Sequence, residues 1–162
     1  MSGILNGVQG QWQVAIDFGT SNAIVVLGGP NGWTQPVPFD GGPLLHAGVF
    51  AADNGQLVTG RDAERGALRA PGRYEPYPKR RIDEGRVLLG DREFDVSWLI
   101  GAVLGRAYAE ACQVARARAS ARARRPSDLA ATWTWQQDVA VVAGRGDGPA
   151  RDSDRLTSRR IG

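Results

Sequence analysis

The sequence predicts an α/β fold, because a strand hairpin near its start is followed later by a long amphipathic helix. The apolar runs Trp12 to Ile16 and Ala23 to Leu27 are rich in β-branched residues and have the length of buried strands. Between them lies a polar turn, Asp17-Phe18-Gly19-Thr20-Ser21-Asn22. From Val96 to Ala115, apolar residues recur at helical spacing, which predicts a helix whose apolar face packs on the sheet.

Turn signals divide the middle of the chain into short elements. The elements are predicted, in order, as a third strand at 33–39, a hairpin of strands at 47–51 and 56–59, a short helix at 62–70, a helical turn at 79–82, and a hairpin of strands at 86–89 and 92–94. Asp95 is the predicted N-cap of the long helix, and Pro126 ends its pattern. Residues 138–143 are a further candidate strand.

The composition is that of one globular domain. The chain has 162 residues, of which 42% are hydrophobic, enough for a domain with its own core. Cys112 is the single cysteine, so no intrachain disulfide can form, and its place in a helical apolar pattern predicts burial. No apolar run approaches the length of a membrane span, and the N-terminus lacks the pattern of a signal peptide. These observations predict a cytoplasmic protein without membrane contact.

The positive charge is concentrated in arginines. The formal net charge is +3, and five arginines crowd the end of the long helix, at Arg116, Arg118, Arg122, Arg124 and Arg125. No aromatic residue interleaves with this run, and its arginines point around the whole helix circumference. A solvated basic helix end, favoured by the helix dipole, therefore explains the run better than a nucleic-acid site does.

The polar turn carries the residue types of a nucleotide site. Gly19 lets the backbone bend and approach a ligand closely. Thr20, Ser21 and Asn22 offer hydroxyl, amide and backbone N–H donors that suit phosphate oxygens. Asp17, at the end of the first strand, is a carboxylate suited to a hydrated Mg²⁺. The residues alone leave open a second interpretation, an ordinary hairpin whose turn is polar.

Three segments, in this order along the chain, resemble those of a known family. The turn between its strands resembles the first phosphate motif of the superfamily of actin, sugar kinases and heat-shock chaperone ATPases, Asp-x-Gly-Thr-[Thr/Ser]. Further on, Leu57-Val58-Thr59-Gly60-Arg61-Asp62-Ala63 and then Lys79-Arg80-Arg81-Ile82 resemble the Leu-Val-x-Gly-x-x-Ala and Lys-Arg-x-Ile segments of the DnaK-type, seventy-kilodalton heat-shock chaperones. The resemblance spans about residues 12 to 131.

This resemblance implies a ribonuclease-H-like, actin-type ATPase subdomain with a mixed twisted sheet and packed helices. It implies ATP or ADP and Mg²⁺ as cofactors, and ATP hydrolysis as the family reaction. Lys79 and Asp17 take the catalytic positions, with Lys79 near the turn and the γ-phosphate and Asp17 binding the metal through water. The implied nucleotide contacts fall on Gly19, Thr20, Ser21 and Asn22. Client proteins or co-chaperones are the partners that the family implies.

The resemblance covers only the first half of such an ATPase domain, so the fold is predicted to be incomplete. The second half would supply a further aspartate, a second glycine-rich loop and the adenosine pocket, and residues 144–148 lack the frame of such a loop. We therefore predict a domain half at 1–131, and residues 128–133, at its end, resemble a shortened version of the family's next strand and turn. A divergent, disordered tail follows at 132–162, by truncation or a shifted reading frame. Little activity is expected of such a fragment alone.

Three other functions stay open. A sugar kinase of the same superfamily would need a catalytic aspartate and sugar-binding residues beyond the resemblance, and Lys79-Arg80-x-Ile is not expected in one. The other two are an actin-like filament protein and an interaction remnant without turnover. The sequence also departs from the family pattern at Leu45-His46, where the family has Pro-Ser. His46, the only histidine, is predicted to be a surface or structural residue rather than a base.

Overall fold

The computed structural model of the chain describes residues 12–122 and 139–143. The strands are β1 (Gln13–Phe18), β2 (Asn22–Gly28), β3 (Thr34–Pro36), β4 (Leu44–His46), β5 (Val49–Ala51), β6 (Leu57–Thr59), β7 (Tyr74–Glu75), β8 (Arg86–Leu89), β9 (Arg92–Asp95) and β10 (Val139–Ala143). The helices are α1 (Arg61–Arg69) and α2 (Val96–Arg122), with 3₁₀ helices at Pro71–Arg73 and Pro78–Glu84. The predicted α/β class is confirmed.

The first sheet carries the predicted hairpin and is mixed. β1 and β2 pair antiparallel, β3 and β4 each pair antiparallel with β2, and β10 pairs in parallel with β1. Side chains alternate between the two faces of a strand. The buried inner face consists of Ile16, Phe18, Ala23, Val25, Leu27 and Leu45. Asp17, Ile24 and Leu44 lie on the exposed outer face.

α2 covers the inner face of this sheet with the stripe that its periodicity predicts. The buried residues of the stripe are Val96, Leu99, Val103, Ala107, Ala111 and Ala115. The stripe changes from branched side chains to alanines along the helix, and small side chains let a helix approach its neighbour closely. Cys112 lies one position away from this stripe and is only half-buried, which corrects the predicted burial.

Asp95 caps α2, as predicted. Its Oδ1 accepts a hydrogen bond from the Ser97 backbone N–H at 2.8 Å. Hydrogen bonds from the Ser97 side chain and backbone lower the pKa of Asp95 from its ordinary value of 3.8. A carboxylate whose pKa is lower in the folded state stabilises the fold above the unfolded-state pKa. It loses this stabilisation as the pH falls through the folded-state pKa.

We expect Asp95→Ala to lower the melting temperature at pH 7 by a few degrees, because α2 loses its N-cap. The difference in melting temperature between this variant and the unchanged chain should shrink when the pH is lowered from 7 to 3. Circular dichroism melts at both pH values measure the effect, with Asp83→Ala as the control because Asp83 is an exposed aspartate outside α2. Equal losses for both variants would contradict the capping role.

A second sheet of β5, β6 and β7 packs against α1. Its hairpin crosses Asp53-Asn54-Gly55, and this hairpin, α1 and the β8–β9 hairpin all occur where they were predicted. The two strands β4 and β7 were not predicted. α1 contacts β5 through the buried Gly66, which has no room for a side chain: a Cβ there would lie 2.7 Å from the Phe50 ring.

Asp40 joins three elements through its carboxylate and backbone. It has a φ of 48°, in the left-handed region, and its Oδ2 accepts a hydrogen bond from the Arg61 backbone N–H at 3.1 Å. This bond caps the start of α1, where Gly60 offers no side chain. Arg106 of α2 lies 3.7 Å from the other carboxylate oxygen, so Asp40 ties the two helices to the turn before β4.

The basic end of α2 is not wholly solvated, which corrects the prediction for Arg118. Its guanidinium lies over the Trp33 ring, 4.6 Å from the centroid, and donates a hydrogen bond to the Gln35 side chain. Trp33 in turn meets Trp12 edge to face, with ring centroids 5.5 Å apart. One arginine of the run therefore contacts an aromatic residue, Trp33, that is distant from it in the sequence.

The candidate strand at 138–143 is confirmed as β10. Five residues of the segment predicted as a tail therefore belong to the first sheet. The predictions for residues 128–133, for the glycine-rich run 144–148 and for the rest of the tail lie outside the described residues. Within the described ranges, neither helix is long and apolar enough to cross a bilayer.

Candidate functional site

The turn predicted to bind phosphate joins β1 to β2 at the end of the first sheet. The Gly19 N–H donates a hydrogen bond to the Asn22 carbonyl oxygen at 2.9 Å. A Cβ on Gly19 would lie 2.9 Å from the same oxygen, so a larger residue would force the turn to shift. In the described part of the chain, neither the Thr20 nor the Ser21 backbone N–H is bonded to a protein acceptor. These two N–H groups are the donors that the turn offers.

β4 fixes the turn from the side and brings His46 to it. The Ala47 N–H donates to the Ser21 carbonyl oxygen at 2.9 Å, and His46 lies opposite Asn22 in the pairing of β4 with β2. His46 is exposed, as predicted, and its Nδ1 lies 3.5 Å from the Glu64 carboxylate. Its position beside the turn was not predicted, because the pairing of β4 with β2 has no local signal in the sequence.

Asp17 and Asn22 lie on the outer face of the hairpin. Asp17 is paired with Ile24, and Asn22 precedes Ile24 by two residues, so all three side chains point to one face. Asp17 is exposed, whereas the Asn22 Oδ1 is buried and has no hydrogen-bond partner among the described residues. A buried acceptor without a donor costs about 1–3 kcal/mol. A ligand or metal-bound water that donates to this oxygen would remove that cost.

Lys79 reaches the turn from the 3₁₀ helix Pro78–Glu84. Its Nζ donates a hydrogen bond to the Phe18 carbonyl oxygen at 2.8 Å and lies 5.8 Å from the centroid of the Phe18 ring. We expected this ammonium near the turn and on the same side of the fold as Asp17; its position near the turn is confirmed, and its position on the side of Asp17 is not. Asp17 and Phe18 point to opposite faces of β1, so the carboxylate and the ammonium flank the end of the strand from two sides.

The sequence carries one further signal at Lys79. Lys79 is the only lysine in the chain, and all other members of the lysine-plus-arginine total of 20 are arginines. An ammonium is a compact point charge, whereas a guanidinium is a planar fork that prefers bidentate partners. A single lysine among arginines therefore marks the position where a compact charge is placed.

Together, these groups form a polar cluster around the end of β1. It consists of two backbone N–H groups, the hydroxyls of Thr20 and Ser21, an ammonium and a carboxylate. The described residues contain no group of three or more His, Cys, Asp or Glu side chains that could hold a metal ion. A lone carboxylate such as Asp17 suits a Mg²⁺ that keeps most of its water and shares phosphate oxygens.

No family model matches this chain, and no curated protein is similar enough to count as a match.

Proposed function

We propose that the chain forms one wall of an ATP-binding site like that of the DnaK-type heat-shock chaperones, on a ribonuclease-H-like, actin-type subdomain. The observation that carries this proposal is the hydrogen bond from the Lys79 ammonium to the Phe18 carbonyl oxygen. It brings a cation from 61 residues further along the chain to the turn that resembles a phosphate motif. The mixed sheet, with β10 parallel to β1, supports the subdomain assignment.

The residues at the turn fit a nucleotide with Mg²⁺. The N–H groups of Thr20 and Ser21 would donate to phosphate oxygens. Asp17 would hold the metal through water, and the buried Asn22 Oδ1 would accept from such a water. Lys79 would exchange the Phe18 carbonyl oxygen for a phosphate oxygen and offset charge there. When bound, ATP and Mg²⁺ supply the phosphoryl group and the charge neutralisation for transfer to water.

Weak binding without sustained turnover is the expectation for the chain alone. The described residues would contact the phosphates of a nucleotide from one side, and its base and ribose would remain in water. Immobilising a ligand costs several kcal/mol at least, and contacts from one wall offset this cost poorly. In-line attack also depends on positioning and charge from both sides of the phosphate.

We expect millimolar Mg·ATP to shift the amide NMR signals of Gly19, Thr20 and Ser21, and Lys79→Ala to weaken this binding about tenfold. A second readout uses the single lysine: an acyl phosphate of ATP should acylate Lys79, and mass spectrometry detects the product. Arg69→Ala is the matched control, because it removes one positive charge from the exposed end of α1.

Any one of three results would overturn the proposal. The first is that Mg·ATP leaves the amide NMR signals of the turn unshifted, and the second is that Lys79→Ala and Arg69→Ala lose affinity equally. The third is that acetyl phosphate acylates Lys79 as fast as the acyl phosphate of ATP does. A phosphate-release assay tests the one-wall argument separately. Sustained turnover that Lys79→Ala abolishes would show that the chain holds a complete site.

A further inference from the structure

We infer that a cavity beside the 3₁₀ helix Pro78–Glu84 docks an acidic peptide segment of a partner protein. The cavity has a volume of about 410 Å³, is open to solvent, and is lined by residues of β7, of the loop after it and of this helix. It is distinct from the phosphate turn, so the inference goes beyond the proposed function and does not rest on it.

The wall of the cavity is held rigid by Glu75. This side chain is buried, and its Oε1 accepts the Tyr77 backbone N–H at 2.8 Å while its Oε2 accepts the Arg81 Nε–H at 3.1 Å. Arg81 also donates to the Glu84 carboxylate at 2.7 Å. Both oxygens of Glu75 are used, and Arg81 pairs with the two carboxylates of Glu75 and Glu84. These residues therefore shape the cavity and leave its recognition chemistry to others.

Arg80 is the charged group that remains for a ligand. Its guanidinium lies over the Tyr77 ring, 5.1 Å from the centroid. Within residues 12–122 and 139–143 no carboxylate pairs with it, whereas the adjacent Arg81 is paired twice. Stacking on a ring orients the planar guanidinium and keeps its edge donors free, which is the arrangement that binds a carboxylate with two hydrogen bonds.

The surroundings of Arg80 fit a peptide better than a small molecule. An open cavity cannot enclose most of a small ligand's surface, as binding pockets for such ligands do. Tyr77 is 40% exposed and Ile82 is 54% exposed, so apolar surface flanks the arginine on both sides along the chain. Tyrosine and arginine are enriched among residues that dominate protein interfaces. A peptide with an acidic and an apolar side chain uses both features.

The test is fluorescence anisotropy with a fluorescein-labelled peptide of repeated Glu-Leu-Ser triplets and the full 162-residue chain. We expect saturable binding, and a loss of about tenfold in affinity for Arg80→Gln. Replacing every Glu of the peptide by Gln should cause a similar loss. The control is Arg69→Gln, which makes the same charge change at the exposed end of α1 and should bind like the unchanged chain. Circular dichroism establishes that each variant is folded.

Any one of three outcomes would overturn the inference. The peptide fails to bind, the peptide with Gln in place of Glu binds equally well, or Arg69→Gln loses as much affinity as Arg80→Gln. A third arm adds inorganic phosphate: displacement of the peptide at low millimolar phosphate would assign the cavity to phosphate groups instead. Because no nucleotide is present in any arm, a failure of the proposed ATP site leaves these results unaffected.

Discussion

Leu99→Ala is expected to destabilise the fold by about 2–5 kcal/mol, the largest effect that we expect of a single substitution in this chain. Leu99 is fully buried in the stripe with which α2 covers the first sheet. Truncation removes the transfer free energy of the side chain and leaves a cavity, because a helix held along a long stripe cannot collapse into the gap. Urea unfolding followed by circular dichroism measures the loss.

Trp98→Ala is the control for Leu99→Ala, because Trp98 precedes it and is 66% exposed. We expect this change to alter the free energy of unfolding by less than about 0.5 kcal/mol. Should Leu99→Ala fail to fold, Leu99→Met, which nearly conserves volume, is expected to cost less than about 1.5 kcal/mol. Equal losses at Leu99 and Trp98 would show that the buried face of α2 is assigned wrongly.

Gly66→Ala is expected to destabilise the fold by about 1–3 kcal/mol, although alanine favours helices by about 1 kcal/mol over glycine. Gly66 lies in α1 against β5, and a Cβ there would meet Cγ and Cδ1 of the Phe50 ring at 2.7 Å. These atoms belong to the base of the ring, so the ring cannot turn aside and either α1 or β5 must shift. Thermal and urea unfolding measure this loss.

Gly101→Ala gives the matched comparison, since Gly101 lies in α2 and is exposed, and a new Cβ there would meet no atom within 4 Å apart from its own helix backbone and chain neighbours. Here the helix preference acts alone, and we expect a stabilisation of about 0.5–1 kcal/mol. The two substitutions are the same in chemistry and should be opposite in sign. A stabilising Gly66→Ala would mean that α1 does not pack closely on Phe50.

The elements set by neighbouring residues were predicted from the sequence. The hairpin of β1 and β2, the turn at Asp53-Asn54-Gly55, α1, the β8–β9 hairpin and the cap at Asp95 all depend on residues close together in the chain, and all are confirmed. Local patterns carry such elements because turn chemistry and side-chain periodicity act within a few residues.

The elements and contacts set by distant partners were missed. β4 and β7 have only three and two residues, too few for a period to show, and they exist through pairing with β2 and β5. The stacking of Arg118 on Trp33 joins α2 to the start of β3. The arginine run can be recognised in the sequence, but the contact of Arg118 with Trp33 depends on the tertiary fold.

The candidate site likewise has features that were predicted from the sequence and features that were not. The turn at Gly19 and its link to Lys79 were predicted from the motif resemblance, and the structure brings them together through the Phe18 carbonyl oxygen. The buried acceptor at Asn22 and the position of His46 beside the turn were not predicted. Both depend on the register of β2 against β4, which no local pattern specified.

The parallel pairing of β10 with β1 has a consequence for the order of events during synthesis. Val14 pairs with Val139 and Phe18 with Ala143, so this contact closes a loop of roughly 125 residues, whose entropic cost is paid only when the far strand is available. The β1–β2 hairpin can form as soon as its own residues leave the ribosome. The other edge of β1 stays unpaired until β10 has been synthesised. During that interval the open edge is a template for pairing with other chains.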